Sequence, residues 1–301
     1  MARSTSTPRP EVLARCRFPP AGHEATAAVS GGGDSLALLV LAVAAGLSVT
    51  AVHVDHGLRP GSGDEADVVR DAAHALGASF RAARVSLAPG ANLEARARDA
   101  RRAVLPADAM TGHTADDQAE TVLLALVRGA GLDGSTGMRA GPTKPILGLR
   151  RSETAAVCRE AGLVPVTDPS NLDPTFRRNR IRAEVLPLLD DVAERDVAPL
   201  LARAAALSAD DVDLLDGLAA AIDPSDAKAL AAAPTALARR AVRRWLREAS
   251  PPHPPDAAAV ERVLAVARCE ALACEVGHGL RVARTGGRLR LDPAHPRIGG
   301  G

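Results

Sequence analysis

A run of three glycines flanked by serines and an aspartate is the part of this chain best suited to chemistry. Residues 30–35 read SGGGDS and lie between an apolar, strand-like stretch and an apolar, helix-like run. Because glycine has no Cβ atom, the backbone here can close tightly around a ligand. The free N–H groups and positive dipole end of the following helix favour a phosphate at this place. The residues predicted to hold a nucleotide's phosphates are Ser30, Gly31, Gly32, Gly33, Asp34 and Ser35.

Asp34 indicates which kind of phosphate site this is. A carboxylate repels a phosphate unless a divalent cation lies between them, so the sequence predicts a Mg²⁺ ion that bridges Asp34 and a pyrophosphate. A Walker-type loop is excluded because it requires a lysine after its last glycine, and neither Lys144 nor Lys228 follows a glycine. A plain glycine-rich turn capped by Asp34 or Ser35 is the alternative, and the polar segments described next weigh against it.

Short β-like runs alternate with helix-like runs between about residues 25 and 150. This alternation predicts βαβ units and an α/β fold with a Rossmann-like parallel sheet and flanking helices. Ligands bind beyond the carboxyl ends of the strands in such sheets, where we expect the glycine loop and the polar segments 53–56 and 112–113. The predicted strands are 26–29, 48–54, 79–86, 107–111 and 145–147, and the predicted helices are 35–45, 64–76, 93–105 and 115–127. Beyond the alternating region, further helices are predicted over 153–161 and 176–189.

Three polar segments accompany the glycine loop. After the second predicted strand, contacts to a nucleotide from Asp55 and His56 are favoured over a metal site, because neighbouring residues at a strand end point to opposite faces. Thr114 and Asp117 have the types and spacing of a capping box. Capping alone does not account for several carboxylates beside a phosphate loop, so we expect Asp117 to face Mg²⁺ or a substrate ammonium group. Arg98, on the predicted helix 93–105, can reach a carboxylate or a phosphate of the substrate.

Two stretches are rich in arginine. Four arginines in six residues are too many for one solvated face, and they suit an RNA backbone or the AMP phosphate. These residues are Arg177, Arg178, Arg180 and Arg182. A second arginine stripe lies within residues 239–247. Phosphate binding and the arginine bias of a GC-rich coding sequence on an exposed helix face explain it equally well.

The rest of the sequence indicates the domain organisation and the cellular compartment. We expect a domain at 1–190 and a mainly helical domain at 191–301 that ends in a hairpin turning at Gly286 and Gly287. The longest apolar run, 36–47, is too short to cross a bilayer, and the N-terminal residues lack the apolar core of a secretory signal. Four scattered cysteines form neither a disulfide framework nor a CxxC metal pattern. We therefore expect a cytoplasmic protein without a membrane partner.

Several long motifs, in one order along the chain, resemble the tRNA(Ile)-lysidine synthase family of PP-loop ATP pyrophosphatases. The glycine loop matches the Ser-Gly-Gly-x-Asp-Ser signature of the wider class. The resemblance spans about residues 25 to 190, with Arg102 as a departure where the family usually has tyrosine. The other motifs are HVDHGLR, NLEARAR, GHTADDQAET, RGAGL and DPSN followed by RRNRIR.

The resemblance implies an ATP-dependent ligase. Such an enzyme adenylates the wobble cytidine of isoleucine tRNA with a CAU anticodon, and free L-lysine then displaces AMP to form lysidine. It further implies that Asp117 and Arg98 hold the charged groups of lysine and that the helical domain binds tRNA. An ammonium group must lose a proton before attack, and His113 and a nearby carboxylate are both candidate bases. The sequence also allows a homodimer.

Three other functions compete with this one. A PP-loop tRNA-modifying enzyme that installs sulfur would need cysteine pairs or a cluster, and no cysteine is expected in the site. An amidotransferase subunit would need a glutaminase partner, and the arginine-rich stretches disfavour it. A non-enzymatic nucleotide sensor would not need the carboxylates of Asp34, Asp116 and Asp117.

Overall fold

A computed structural model describes residues 8–55, 62–85, 93–167, 169, 173–250 and 255–294. Contacts within the chain divide it into two compact units, Met1–Ala209 and Asp210–Gly301. The division falls inside a single helix, α10 (Ala198–Ala220). The domain boundary expected at residue 190 stays a prediction.

The first unit is built on a parallel sheet, which confirms the predicted fold class. Its described strands lie in the order β3-β2-β1-β4, with β1 paired in parallel to both β2 and β4. The carboxyl ends of these strands therefore share one edge of the sheet. The bounds are β1 (Glu24–Ala28), β2 (Ser48–Asp55), β3 (Ser79–Arg84) and β4 (Met110–Thr111).

Helices cover the sheet, and the helix after the glycine loop lies at the centre of the core. In α2 (Gly33–Ala44) every residue from Ser35 to Ala42 is buried, as expected for a helix that is apolar on all sides. It packs against β1, β2 and α7. The helices of this part are α1 (Pro10–Leu13), α2, α3 (Ser62–Ala75), α4 (Leu93–Val104), α5 (Ala115–Val127), α6 (Leu132–Ser135) and α7 (Arg151–Glu160).

One predicted strand is wrong. Residues 145–147 form turns, although Ile146 is fully buried in the core. Pro145 has no N–H group to donate to a neighbouring strand. Single backbone bonds anchor the segment instead, from Thr111 to the carbonyl of Thr143 and from Arg17 to that of Pro145. The apolar pattern of residues 145–147 therefore indicates burial but not a strand.

The helix predicted over 176–189 is interrupted by a wide turn. It consists of α8 (Arg177–Arg180), a π-helical turn (Ile181–Val185) and α9 (Leu186–Ala193). Pro187 explains the interruption, because a proline cannot donate the hydrogen bond that would close a regular α-helical turn before it.

The second unit is a helical layer on a small antiparallel sheet. Its described strands are ordered β5-β6-β7, and α13 packs against β5 and β6. The turn between β6 and β7 has positive φ at Gly286 and Gly287, which confirms the predicted hairpin. Strand β5 was not predicted. The elements are α11 (Ala227–Ala232), α12 (Thr235–Ala249), α13 (Ala257–Ala267), β5 (Ala273–Gly277), β6 (Leu280–Thr285) and β7 (Arg288–Pro293).

The helices of the described residues do not include one that is both long and apolar enough to span a membrane.

Candidate functional site

The glycine loop forms a cradle of backbone N–H groups. Gly31 has a φ of +86°, a conformation that side chains rarely allow, and Gly32 is the N-cap of α2. The first bond of the helix runs from Leu36 to the carbonyl of Gly32. The N–H groups of residues 33–35 consequently have no carbonyl to bond within the helix. Ser35 fixes the turn, since its hydroxyl donates to the Gly32 carbonyl at 2.8 Å and accepts from the Ser30 N–H at 3.1 Å.

Gly112, after β4, lies against the first turn of α2. A Cβ atom at this position would lie 2.7 Å from the carbonyl oxygen of Asp34, which is too close for any side chain. Gly112 is the first residue of the motif GHTADDQAET, and the structure explains why this position is glycine. Only glycine lets the end of β4 approach the glycine loop this closely.

The loop opens into a cavity of about 820 Å³, a size typical of small-molecule sites. The structure brings to this cavity the glycine loop and residues from the ends of the neighbouring strands. Among the residues predicted for the site, those that line it are Ser30, Gly32, Gly33, Asp34, Ser35, Asp55, His113, Asp117 and Arg182.

Helix α7 holds the start of α2 from one side. The Thr154 hydroxyl donates to Oδ1 of Asp34, Nε of Arg151 lies 3.3 Å from Oδ2, and the Cys158 thiol donates to the carbonyl of Gly33 at 3.2 Å. These three residues lie on one helix face. Burial is the main reason that the pKa of Asp34 is raised above its usual value. None of the three was predicted to belong to the site.

Cys158 corrects the expectation that no cysteine lies in the site, because it lines the cavity. Burial raises the pKa of its thiol to about 11. The group is therefore protonated at neutral pH and lacks the nucleophilic character of a thiolate.

Glu120, on α5, is the buried centre of an arginine cluster. Its side chain has no solvent exposure, and it accepts from Nε of Arg178 at 2.6 Å and from Nε of Arg182 at 2.7 Å. Arg151 adds a third guanidinium at 3.4 Å. A buried carboxylate needs such partners to remain charged. Two of the arginines predicted to bind RNA thus contact a carboxylate of the protein itself.

Asp117 has two contacts that together account for its position. Its Oδ2 atom accepts from both the N–H and the hydroxyl of Thr114 at 2.9 Å, which confirms the predicted capping box. Its Oδ1 atom lies 3.1 Å from Nη2 of Arg151. The residue therefore caps α5 and also presents a negative charge beside the cavity.

Asp116 points to a different partner. Arg150 binds it through two hydrogen bonds of 2.9 and 3.0 Å, and the backbone N–H of Arg151 adds a third at 2.8 Å. Burial alone would raise the pKa of Asp116, but these hydrogen bonds outweigh burial and lower it. Asp116 fixes the start of α7 against α5 and is not among the residues that line the cavity.

His113 is held in one tautomer by its neighbours. The Thr111 hydroxyl oxygen lies 3.0 Å from the Thr143 carbonyl oxygen and 2.8 Å from Nδ1 of His113. Two oxygens at this separation require a hydrogen between them, so the hydroxyl donates to Thr143. Nδ1 of His113 must then carry the proton, and Nε2 is the acceptor. Burial, the largest cause, lowers the pKa of His113 to about 4 and keeps the ring neutral.

The remaining predicted residues are Asp55, Arg177, Arg180, His56 and Arg98. Asp55, at the end of β2, has Arg84 3.9 Å away. Arg177 and Arg180 are exposed, and Arg180 pairs with Glu184 at 2.7 Å. His56 lies outside the described residues. Arg98 is part of α4, but its side chain lies outside the described part of the structure.

Two family models match the chain. The first, described as a PP-loop domain, matches residues 12–189, and the second, described as a TilS substrate binding domain, matches residues 226–290. Relatives named tRNA(Ile)-lysidine synthase match at high identity. The protein of Nocardia farcinica is 44% identical over 255 residues, which cover 79% of this chain and 80% of that protein. That of Rhodococcus erythropolis is 46% identical, covering 73% of this chain and 72% of the relative.

The chain belongs to the tRNA(Ile)-lysidine synthase family. The family resemblance read from the motifs is confirmed, and so is the assignment to the ATP-dependent ligases. A third tRNA(Ile)-lysidine synthase, from Mycobacterium tuberculosis, is 45% identical and covers 72% of this chain and 73% of its own length. Among solved structures, a U34-tRNA thiolase of Methanococcus maripaludis matches with a TM-score of 0.49 and 16% identity, over 66% of this chain and 74% of that chain. The thiolase is too distant to bear on function.

Proposed function

We propose that this tRNA(Ile)-lysidine synthase family member joins free L-lysine to the wobble cytidine of isoleucine tRNA with a CAU anticodon. ATP is cleaved to AMP and pyrophosphate in the reaction. One observation carries the proposal. The glycine cradle, Asp34, Asp117 and His113 meet around one cavity in a chain that is 44–46% identical to lysidine synthases over most of its length.

ATP fits the glycine loop as the first substrate. The N–H groups of residues 33–35 and the hydroxyl group of Ser30 can bind the pyrophosphate part, with Asp55 on the nucleotide side. The Ser35 hydroxyl keeps the turn in shape through its bond to the Gly32 carbonyl. The carbonyl oxygen of the cytosine base attacks the α-phosphorus, and pyrophosphate leaves. The base is then activated, with AMP as its leaving group.

Magnesium fits this site as an ion shared with the substrate. In the described part of the chain, no three His, Cys, Asp or Glu side chains cluster closely enough to hold a metal by themselves. That is the usual situation for Mg²⁺ bound to a nucleotide, which takes one or two carboxylates and completes its shell with phosphate oxygens and water. Asp34 would supply the carboxylate. When bound, the ion would neutralise the charge of the departing pyrophosphate.

Lysine is the proposed second substrate, with Asp117 and Arg98 holding its charged groups. Its ε-amine attacks the activated carbon of the base, and AMP leaves with the former carbonyl oxygen. The structure favours one role for His113. A ring with a pKa of about 4 is too weakly basic to keep the proton of an ammonium group. Its Nε2 atom instead accepts a hydrogen bond from the attacking amine and orients it, and the proton leaves to solvent.

The tRNA contacts are proposed from charge and exposure. Arg177 and Arg180 are exposed and suited to phosphate groups. Arg178 and Arg182 contact Glu120 and are about one-third exposed, so only the N–H groups that face away from Glu120 can bind RNA. We further propose a cytoplasmic location, supported by the free cysteines. Gel filtration tests the predicted homodimer.

Sulfur transfer is disfavoured as an alternative. It requires a reactive thiolate near the nucleotide. Cys158 lines the cavity, but its pKa of about 11 keeps it as a thiol.

One incubation tests the proposal. Wild-type protein, ATP and ¹⁴C-lysine are mixed with isoleucine tRNA bearing the CAU anticodon, and both pyrophosphate release and lysine incorporation are measured. We expect both in equal amounts. ATP cleavage without incorporation refutes lysidine formation and leaves the pyrophosphatase activity standing.

Asp34→Ala tests the metal role, with Asp71→Ala as the matched control at an exposed position of α3. Asp34→Ala should abolish both products, because the pyrophosphate then lacks its bridging cation. The control should retain both. Pyrophosphate release at the wild-type rate by Asp34→Ala would refute the metal role.

A further inference from the structure

The guanidinium group of Arg151 lies between carboxylates of two different helices. Its Nε atom is 3.3 Å from Asp34 at the start of α2, and its Nη2 atom is 3.1 Å from Asp117 at the start of α5. The side chain is about one-third exposed and lines the cavity. A positive charge of the protein therefore occupies the space between Asp34, the proposed metal ligand, and Asp117, the proposed lysine ligand.

Arg151 is the main cation available to these two carboxylates among the described residues. Glu120 already has Arg178 and Arg182 at 2.6 and 2.7 Å. Asp34 also accepts a hydrogen bond from the neutral hydroxyl of Thr154, and a second arginine, Arg178, lies 3.6 Å from Asp117. Removal of Arg151 would thus expose the negative charge of Asp34 and Asp117.

The contacts of Arg151 are loose enough to be exchanged. Strong hydrogen bonds between a guanidinium and a carboxylate measure about 2.7–2.9 Å, whereas those of Arg151 to Asp34 and Asp117 measure 3.3 and 3.1 Å. Its backbone N–H is anchored separately to Asp116 at 2.8 Å. The side chain can consequently leave Asp34 without disturbing the start of α7.

We propose that Arg151 is a positioning residue that serves as the counter-ion of Asp34 and Asp117 in the nucleotide-free protein. It releases Asp34 when the metal-bound pyrophosphate arrives. This inference rests on the proposed function. Its consequence is an order of binding: the guanidinium repels a free divalent cation, so the cation enters only with the phosphates, whose negative charge outweighs the repulsion.

Binding of Mn²⁺ to the nucleotide-free protein tests this role without a catalytic assay. Free Mn²⁺ is measured by its EPR signal during titration of wild-type, Arg151→Gln and Arg150→Gln proteins at about pH 8. Arg150→Gln is the matched control, because Arg150 is adjacent but forms its ion pairs with Asp116 and Asp196. Loss of one charge a few ångströms from a divalent ion should tighten binding to Arg151→Gln at least about tenfold.

The control should bind Mn²⁺ within about threefold of wild-type. Equal affinity of Arg151→Gln and wild-type overturns the proposal, and so does equal tightening by Arg150→Gln. If thermal melting shows that Arg151→Gln is unfolded, Arg151→Lys replaces it as the test. It keeps the charge and should stay within about threefold of wild-type, whereas a tenfold gain would overturn the counter-ion role.

The outcome is separable from that of the proposed function, because the titration contains neither tRNA nor lysine. Tightened Mn²⁺ binding by Arg151→Gln, together with a wild-type protein that fails to incorporate lysine, would refute lysidine formation and support the counter-ion role. Unchanged Mn²⁺ binding by Arg151→Gln, together with lysine incorporation by the wild-type protein, would refute only the counter-ion role of Arg151.

Discussion

Ion pairs of similar length have different surroundings in the two units. In the first unit, Glu120 is completely buried and contacts Arg178 and Arg182 at 2.6 and 2.7 Å. In the second, Arg239 of α12 contacts Glu261 of α13 at 2.5 Å, with both side chains about half exposed. Water and salt screen the second pair much more than the first. Distance alone therefore does not say which pair the protein depends on, and burial does.

Substitution at the buried centre should have the largest effect. Glu120→Gln leaves guanidinium groups without the charge that they surround, so we expect the free energy of unfolding to fall by about 3–5 kcal/mol. Urea denaturation followed by circular dichroism measures the change. Glu261→Gln is the control and should cost less than about 1 kcal/mol. Equal losses for the two variants would contradict the comparison.

Two arginines of one short helix sharpen the same comparison. Arg178 contacts buried Glu120, whereas Arg180 pairs with Glu184 on the surface. Arg178→Gln should lower the free energy of unfolding by roughly 1.5–3 kcal/mol, the usual range for a hydrogen bond to a charged group. Arg180→Gln should lower it by less than Arg178→Gln does, because water screens the exposed pair. A larger loss for Arg180→Gln in urea denaturation would show that burial of the partner does not set the value.

The buried imidazole of His113 extends the comparison to pH. Burial lowers the pKa of His113 to about 4 in the folded state, whereas an unfolded chain has the ordinary value of about 6.5. Between these values the unfolded state binds a proton that the folded state does not, so stability falls as the pH falls from about 6.5 to about 4. His113→Gln should reduce this dependence, as measured by melting temperature against pH.

His74→Gln is the control for the loss of an imidazole, because His74 is exposed on α3. It should keep the dependence of the wild-type protein. If His113→Gln also keeps that dependence, another group causes it.

The exposed pair between α12 and α13 should show only a small effect. Arg239→Gln is expected to change the free energy of unfolding by less than about 1 kcal/mol, because the side chain exchanges one exposed contact for water. Raising the salt concentration should shrink even this difference. A loss that persists in 1 M salt would mean that the contact with Glu261 is effectively buried.

Local signals in the sequence were enough to predict much of the fold. The apolar run after the glycine loop predicted a buried helix, and α2 is one. Thr114 and Asp117 predicted the start of α5, because a cap depends on residues only three positions apart. Gly286 and Gly287 predicted the hairpin for the same reason.

The sequence did not reveal the long-range part of the site. Arg151 and Thr154 contact Asp34 from a distant part of the chain, and a chain rich in arginine gives no signal for one arginine over another. Glu120 lies inside the motif GHTADDQAET, but its burial depends on how α5 and α8 pack and has no local signal in the sequence. At residues 145–147 the apolar run predicted a strand, but it reflects burial, since the segment forms turns.

The contact between Gly112 and the backbone of Asp34 limits how this protein can vary. Every other amino acid carries the same first carbon atom, so a library of all residues at position 112 should return active clones with glycine almost alone. The curvature of the nucleotide cradle is thereby fixed from outside its own motif. Grafting SGGGDS into another scaffold would not reproduce the cradle unless an equally bare backbone were placed beside it.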